Sequence, residues 1–258
     1  MAKPVGSVTR GTTNPNRLRR VDRYIASLAQ IRRDDAVVVD LGYGASPITA
    51  IELLERLSKI NPTLQVVGIE IERERVERAL AVANERLHFT HGGFEVPLPA
   101  GIGDVTVIRA FNVLRQYDES EVEGAWALMR ARLAQDGVIV EGTCDEIGRL
   151  SSWVTLDTNG PKLFTISLRL SGLELPGKVA ERLPKALIHH NVPGEKIHAW
   201  LAALDKAWLK NAPLSSFGAI QRWLATCEQL VREGWPIRVD RKRWRLGEIT
   251  IEWEAVAP

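Results

Sequence analysis

Asp40, Gly42 and Gly44, with Glu70 thirty residues after the first of them, are the residues whose types and spacing could do chemistry. The glycines sit just beyond Val37-Val38-Val39, a β-branched run that reads as a strand buried on both faces of a parallel sheet. Glycine lets the chain turn sharply there and approach a ligand with no Cβ in the way. Ser46 is placed to cap the helix that follows, Ile48 to Lys59, and Pro47 suits its first position, where a missing N–H costs nothing. A strand, a glycine turn and a helix N-terminus together predict a nucleotide-type pocket. A dinucleotide site wants a third glycine where Pro47 stands, and an acid about 20 residues further on. Glu70, at the tip of the next strand (Gln65 to Ile69), suits instead a ligand with a ribose diol and a cationic sulfonium but no pyrophosphate.

Val-Val-Asp-Leu-Gly-x-Gly followed by Val-Val-Gly-Ile-Glu resembles the first two motifs of class I S-adenosylmethionine-dependent methyltransferases, over roughly residues 36–142. The resemblance implies S-adenosyl-L-methionine as cofactor and S-adenosyl-L-homocysteine as product. It carries cofactor contacts onto Asp40, Gly42, Tyr43, Gly44, Glu70, Ile71, Gly93, Phe94, Ala110 and Asn112. Asp40 and the glycines would shape the methionine side, and Glu70 would take the ribose hydroxyls. In the family the third-strand exit often reads Gly-Asp, the acid taking the adenine amino group and the next amide a ring nitrogen. Here Gly93 stands where that acid would be, which leaves Phe94 to wall the ring by stacking. The fourth-strand exit, Ala110 to Tyr117, matches the Asn-Val-Leu-His-His form of members acting on small molecules, and the Asp/Asn-Pro-Pro-Tyr of amino-methyltransferases is absent. Arg115 and Tyr117 are then candidates to touch substrate. Asn112 has a second reading, as the brace of its own turn. Arg17, or Arg20, could reach the carboxylate of a bound amino-acid moiety, against the plainer reading of a solvated helix face.

A base to activate the acceptor is harder to place. Asp145 and Glu146 lie in the polar exit of the fifth strand and could orient or deprotonate a substrate, or simply form a capping loop. His189 and His190 have the imidazole pKa suited to neutral pH. With His198 and Glu195 they form no recognisable metal motif, so no metal is expected. The cluster Arg238 to Arg245, with Trp244, could grip phosphates and stack a base, or guard the edge of a sheet. The expected function is methyl transfer to a small-molecule oxygen or nitrogen. The alternatives are a silent S-adenosylmethionine or S-adenosylhomocysteine binder and an RNA methyltransferase.

The elements that must position these residues form a doubly wound α/β fold, a mostly parallel, seven-stranded Rossmann-like methyltransferase sheet. It should carry an N-terminal helix (Leu18, Val21, Ile25 and Leu28 inward) and a helical insertion before the last strand. Residues 1–13 read as a flexible leader. Residues 14–258 read as one domain, with a core at 34–170 and 236–258 and the insertion at about 176–235. The sixth strand is expected over Lys162 to Leu170 and the seventh over Glu248 to Trp253. The 258 residues are 45% hydrophobic and 26% charged, with a net charge of +2, which gives no reason to expect nucleic acid. No apolar run reaches the ~18 residues of a membrane span, and the polar, basic start is not a secretory signal. Two cysteines make no disulfide framework, so a reduced cytoplasm is the expected setting. The oligomeric state is not legible.

Overall fold

The computed structural model describes residues 4–9 and 13–258; positions 1–3 and 10–12 of the expected leader lie outside the described residues. In chain order the elements are α1 (Arg19–Ile25), β1 (Val37–Leu41), α2 (Ile48–Leu57), β2 (Gln65–Glu70), α3 (Arg73–Ala79), β3 (Leu87–His91), β4 (Val105–Phe111) and α4 (Val122–Arg130). There follow β5 (Leu133–Cys144), β6 (Leu150–Asp157), β7 (Gly160–Leu168), α5 (Lys185–Ile188), α6 (Lys196–Lys210), α7 (Ala219–Arg232), α8 (Arg241–Trp244) and β8 (Glu248–Glu252). Among the described residues the strands form one sheet in the order β3-β2-β1-β4-β5-β6-β7-β8. The first five in that order pair in parallel, and β6, β7 and β8 are added antiparallel.

The doubly wound sheet is as expected, with one strand more. The expected sixth and seventh strands are β7 and β8, and the unexpected one is β6. Its Ser151, Ser152 and Thr155 are buried, so it shows none of the apolar–polar alternation that marks a half-solvated strand. The hydroxyls are satisfied tertiarily: Ser152 Oγ donates to the Arg182 carbonyl at 2.5 Å, and Thr155 bonds the Tyr24 hydroxyl at 2.9 Å. Helix starts also differ in detail. Pro47 occupies the cap position itself, and no side chain caps α2. The Asp118–Glu121 capping box is present, closed by the Asp118 N–H on the Glu121 carboxylate at 2.8 Å.

Alternate residues of the strands feed two cores. Val38, Val66, Val107 and Val140 face α1 and α2, packing with Ile25, Leu53 and Leu57. Val39, Val67, Ile108 and Ile139 face the other way, toward Trp126 and Met129 of α4. The helices between β7 and β8 extend this second core with Trp200, Trp208 and Trp223, all buried. The insertion therefore covers one face of the antiparallel half of the sheet. No helix of the described residues is long and apolar enough to cross a membrane.

Glu141 of β5 is the exception within this apolar core. It is 1% exposed, and neither carboxylate oxygen has a hydrogen-bond partner among the described residues. Burial pushes its carboxyl up to about 8, with the Trp126 indole opposing the shift. The folded chain thus keeps a proton that the unfolded chain releases near the ordinary 4.5, and folding stability falls as pH rises between the two. Glu141→Gln removes this dependence. Its stability relative to the parent should grow by up to about 4 kcal/mol from pH 5 to pH 8. Urea unfolding across that range checks it, and parallel profiles for the two proteins would refute it.

Candidate functional site

The C-terminal ends of β1, β2 and β4 open on a cleft, the place where open α/β sheets bind ligands. One part, of about 430 Å³, is lined by Arg17, Asp40, Gly42, Tyr43, Gly44, Thr49, Phe111 and Asn112, with Thr9, Thr13 and Leu18. A second part, of about 270 Å³, is lined by Leu41, Gly42, Glu70, Ile71, Gly93, Phe94, Val113 and Tyr117, with Val5 to Ser7 and Thr9. The residues expected at the cofactor are thus gathered at one place, except Ala110, which lies wholly inside the sheet core.

Asp40 is fixed by a buried ion network. Arg109 faces it across the parallel pair and donates from Nε to Asp40 Oδ1 at 3.0 Å and from Nη2 to Oδ2 at 2.7 Å. The same guanidinium pairs with Asp22 of α1 and donates to the Thr49 carbonyl at 3.0 Å. Thr49 Oγ1 returns to Asp40 at 2.7 Å, and Arg56 of α2 pairs with Asp22 and with Glu52. Arg109 and Asp22 are both 0% exposed. Burial by itself would lower the Arg109 guanidinium, but Asp40 and Asp22 more than offset this and hold it cationic. Asp40 therefore aims the strand exit, and its charge is already matched.

The glycine turn rests on Glu70. Gly42 and Gly44 have φ of +69° and +86°, a left-handed backbone that glycine adopts without strain. A Cβ on Gly42 would come within 2.7 Å of the Val113 side chain. The Gly44 N–H donates to Glu70 Oε2 at 2.9 Å, while Oε1 accepts from the Ile71 and Glu72 amides at 3.0 and 3.3 Å. Arg75 lies 3.6 Å from the same carboxylate. Asn112 has φ of +61°, a rare conformation for a residue with a Cβ. Its Oδ1 accepts from the Cys144 amide at 3.0 Å, so it braces the exits of β4 and β5 as well as lining the cleft. The Tyr43 ring stands edge-on to Phe89 at 5.4 Å, and burial raises its hydroxyl.

At the β3 exit a carboxylate stands two residues beyond Gly93. Glu95 Oε1 accepts from the Gly93 N–H at 3.0 Å, and its Oε2 stands beside the Phe94 N–H as acceptor and donor side by side. An acceptor beside a donor is the complement of an adenine edge, whose 6-amino group donates and whose N1 accepts. Ile71 and the Phe94–Tyr117 pair, with rings 5.3 Å apart, wall the space beside them. The purine-edge pair, the acid at the tip of β2 and the Cβ-free turn together fit S-adenosylmethionine.

Other candidates lie elsewhere. His189 and His190 pair with Glu119 at 3.2 and 2.6 Å and line neither part of the cleft. Asp145 and Glu146 present carbonyls, to Arg17 Nε at 3.0 Å and Asn14 Nδ2 at 3.4 Å, and their carboxylates do not line the cleft. Arg115 donates to the Glu181 carbonyl at 3.0 Å. Among the described residues no group of three or more His, Cys, Asp or Glu is placed to hold a metal ion. Sequence reading passed over Arg109 and Glu95. A lone arginine in the buried run of β4 was a readable signal for the first; Glu95 had none, because its role depends on how Gly92 and Gly93 fold.

No protein-family model and no curated protein sequence matches the chain. Solved structures do. A pericyclic reaction enzyme aligns at 17% identity over 52% of this chain and 34% of its own, with a TM-score of 0.40. The magnesium protoporphyrin IX methyltransferase of Synechocystis PCC 6803, with bound S-adenosylhomocysteine, aligns at 14% over 50% and 55%, TM-score 0.38. A TehB-like S-adenosylmethionine-dependent methyltransferase from Corynebacterium glutamicum aligns at 22% over 54% and 67%, TM-score 0.36. The chain thus spans about a third of the first of these and just over half of the second. The likeness is to part of a fold, and what the cleft binds rests on the cleft's own residues.

Arg109→Met leaves Asp40 buried without its cation and Asp22 with Arg56 alone, and should cost about 3–5 kcal/mol of stability. Urea unfolding at neutral pH measures it, and a loss below about 1 kcal/mol would show that the network is not what fixes Asp40.

Proposed function

We propose that the cleft binds S-adenosylmethionine and that the protein transfers its methyl group to a small-molecule oxygen or nitrogen. The observation that carries this is one continuous set of groups around the cleft. Gly42 and Gly44 clear the approach, Glu70 stands at the tip of β2, and Phe94 N–H with Glu95 offers a purine edge its complement. When bound, the cofactor supplies an electrophilic methyl on a sulfonium. The chain's part is to fix that methyl against the acceptor, the proximity that makes such displacements fast. Glu70 would accept from the ribose hydroxyls, Glu95 from the adenine amino group, and Arg17 would face the amino-acid end.

A small acceptor is favoured over RNA by the state of the basic cluster. Arg238, Arg241 and Arg243 are ion-paired to Glu252, Glu228 and Glu248, and Trp244 is 2% exposed, so it offers no stacking face. A second reading, cofactor binding without turnover, is supported by the acids lining the cleft. Among the described residues these are Asp40 and Glu70, with Glu95 beside them, all already hydrogen-bonded.

Calorimetric titration with S-adenosylmethionine, S-adenosylhomocysteine and NAD tests the ligand class. The first two should bind and NAD should not. Glu70→Ala should weaken binding about tenfold or more, the loss expected for a hydrogen bond to a charged group. Unchanged affinity in a folded variant removes that residue from the site. Transfer of labelled methyl to any small acceptor then excludes the silent reading.

A further inference from the structure

Residues 4–9 cross the cleft, and they do so through the purine-reading groups. The Val5 N–H donates to Glu95 Oε2 at 2.9 Å, and the Val5 carbonyl accepts from the Phe94 N–H at 2.9 Å. One donor beside one acceptor, on one residue, meets the same complement that an adenine edge would meet. Gly6 follows at φ +138°, in the space between Ile71 and the Phe94–Tyr117 pair; a Cβ there would lie 3.3 Å from Ile71 Cδ1 and 3.6 Å from Phe94 Cε2. Ser7 is bonded on both its N–H and its carbonyl to the Tyr117 hydroxyl. The segment therefore holds the two hydrogen bonds and the stacking space of a purine at once.

We propose that residues 4–9 are a built-in competitor for this subsite, so that an adenosine-bearing ligand enters only as the segment leaves. The proposal rests on the reading of the cleft given above and adds its regulation. Sterics require the exclusion, because the Phe94 N–H and Glu95 Oε2 cannot serve Val5 and a purine edge together. The way the segment is held makes it displaceable. Val5 and Val8 are 44% and 50% exposed, so their side chains anchor nothing in either core. Its remaining ties among the described residues are carbonyls taking Gln116 Nε2 at 3.2 and 3.3 Å and Arg75 Nη2 at 3.1 Å, and the buried Thr9 hydroxyl, which accepts from Arg75 Nη1 at 3.5 Å. A chain-end segment held by hydrogen bonds, with its large apolar side chains outside both cores, opens at the low end of a protein's stability range. Gly93 fits the same account: a Cβ there would run into the Val5 carbonyl, so the glycine that replaces the family's acid is what lets the segment sit so close.

The full chain is compared with Gly6→Val, whose side chain would collide with the Tyr117 hydroxyl and Ile71, and with a deletion of residues 4–9. S-adenosylhomocysteine is the probe, titrated by calorimetry, while hydrogen exchange follows the amides of residues 5–9 in the parent. Both altered proteins should bind about tenfold or more tightly, since a competent state populated a tenth of the time weakens apparent affinity by that factor. The segment's amides should lose protection in the parent as ligand saturates. Equal or weaker binding by both altered proteins, or protection unchanged at saturation, overturns the competition and leaves the ligand reading intact. Absence of binding in all three proteins overturns the ligand reading and the competition with it.

Discussion

Everything at the cleft depends on one buried guanidinium. Arg109 stands in the middle of β4, fully enclosed, and ties β1 through Asp40, α1 through Asp22 and the start of α2 through the Thr49 carbonyl. Two carboxylates around one arginine, with Arg56 closing the set, leave few alternative arrangements once water is excluded. The cost of desolvating these charges is met by complete pairing, and the return is geometric. The glycine turn leaves the sheet at a fixed angle because Asp40, two residues before Gly42, cannot rotate away.

The same economy of groups runs along the cleft. Glu70 accepts from the Gly44 amide and from its own turn, which shapes the turn and presents the carboxylate at the cavity wall. Asn112 takes a left-handed backbone and uses its side chain to join β4 to β5. Backbone strain of this kind persists where neighbours over-determine it, and it gathers at functional sites. The cleft is thus preorganised around Gly42, Gly44 and Asn112. At the β3 exit the chain itself, through Val5, holds the Phe94 N–H and the Glu95 carboxylate in place.

The antiparallel half of the sheet serves a different purpose. β6 to β8 carry buried hydroxyls and a tryptophan-rich helical cover, and none of their residues lines either part of the cleft. Ser152 and Thr143 both donate to the Arg182 carbonyl, which pins the insertion to the end of β5 beside Asn112's partner Cys144. The histidine pair and Arg115 have no comparable place there, being engaged with Glu119 and Glu181 outside the cleft.

The sequence by itself determined the strand–glycine turn–helix unit, the acid at the tip of β2, the parallel core from β1 to β5 and the helical insertion. Each is a local pattern: a β-branched run, glycine before a helix start, or apolar residues at helical spacing. Tertiary structure alone decided the rest. β6 is hidden from pattern reading because its serines and threonine are buried and satisfied by distant groups. Arg109 could be read as charged but not as bonded to Asp22, which lies 87 positions away along the chain. Glu95 came to hold the Gly93 amide, and Val5 came to meet it from 90 positions earlier. Periodicity encodes which face a residue shows. Which partner stands opposite that face is fixed only when burial removes water and every polar group must find its complement.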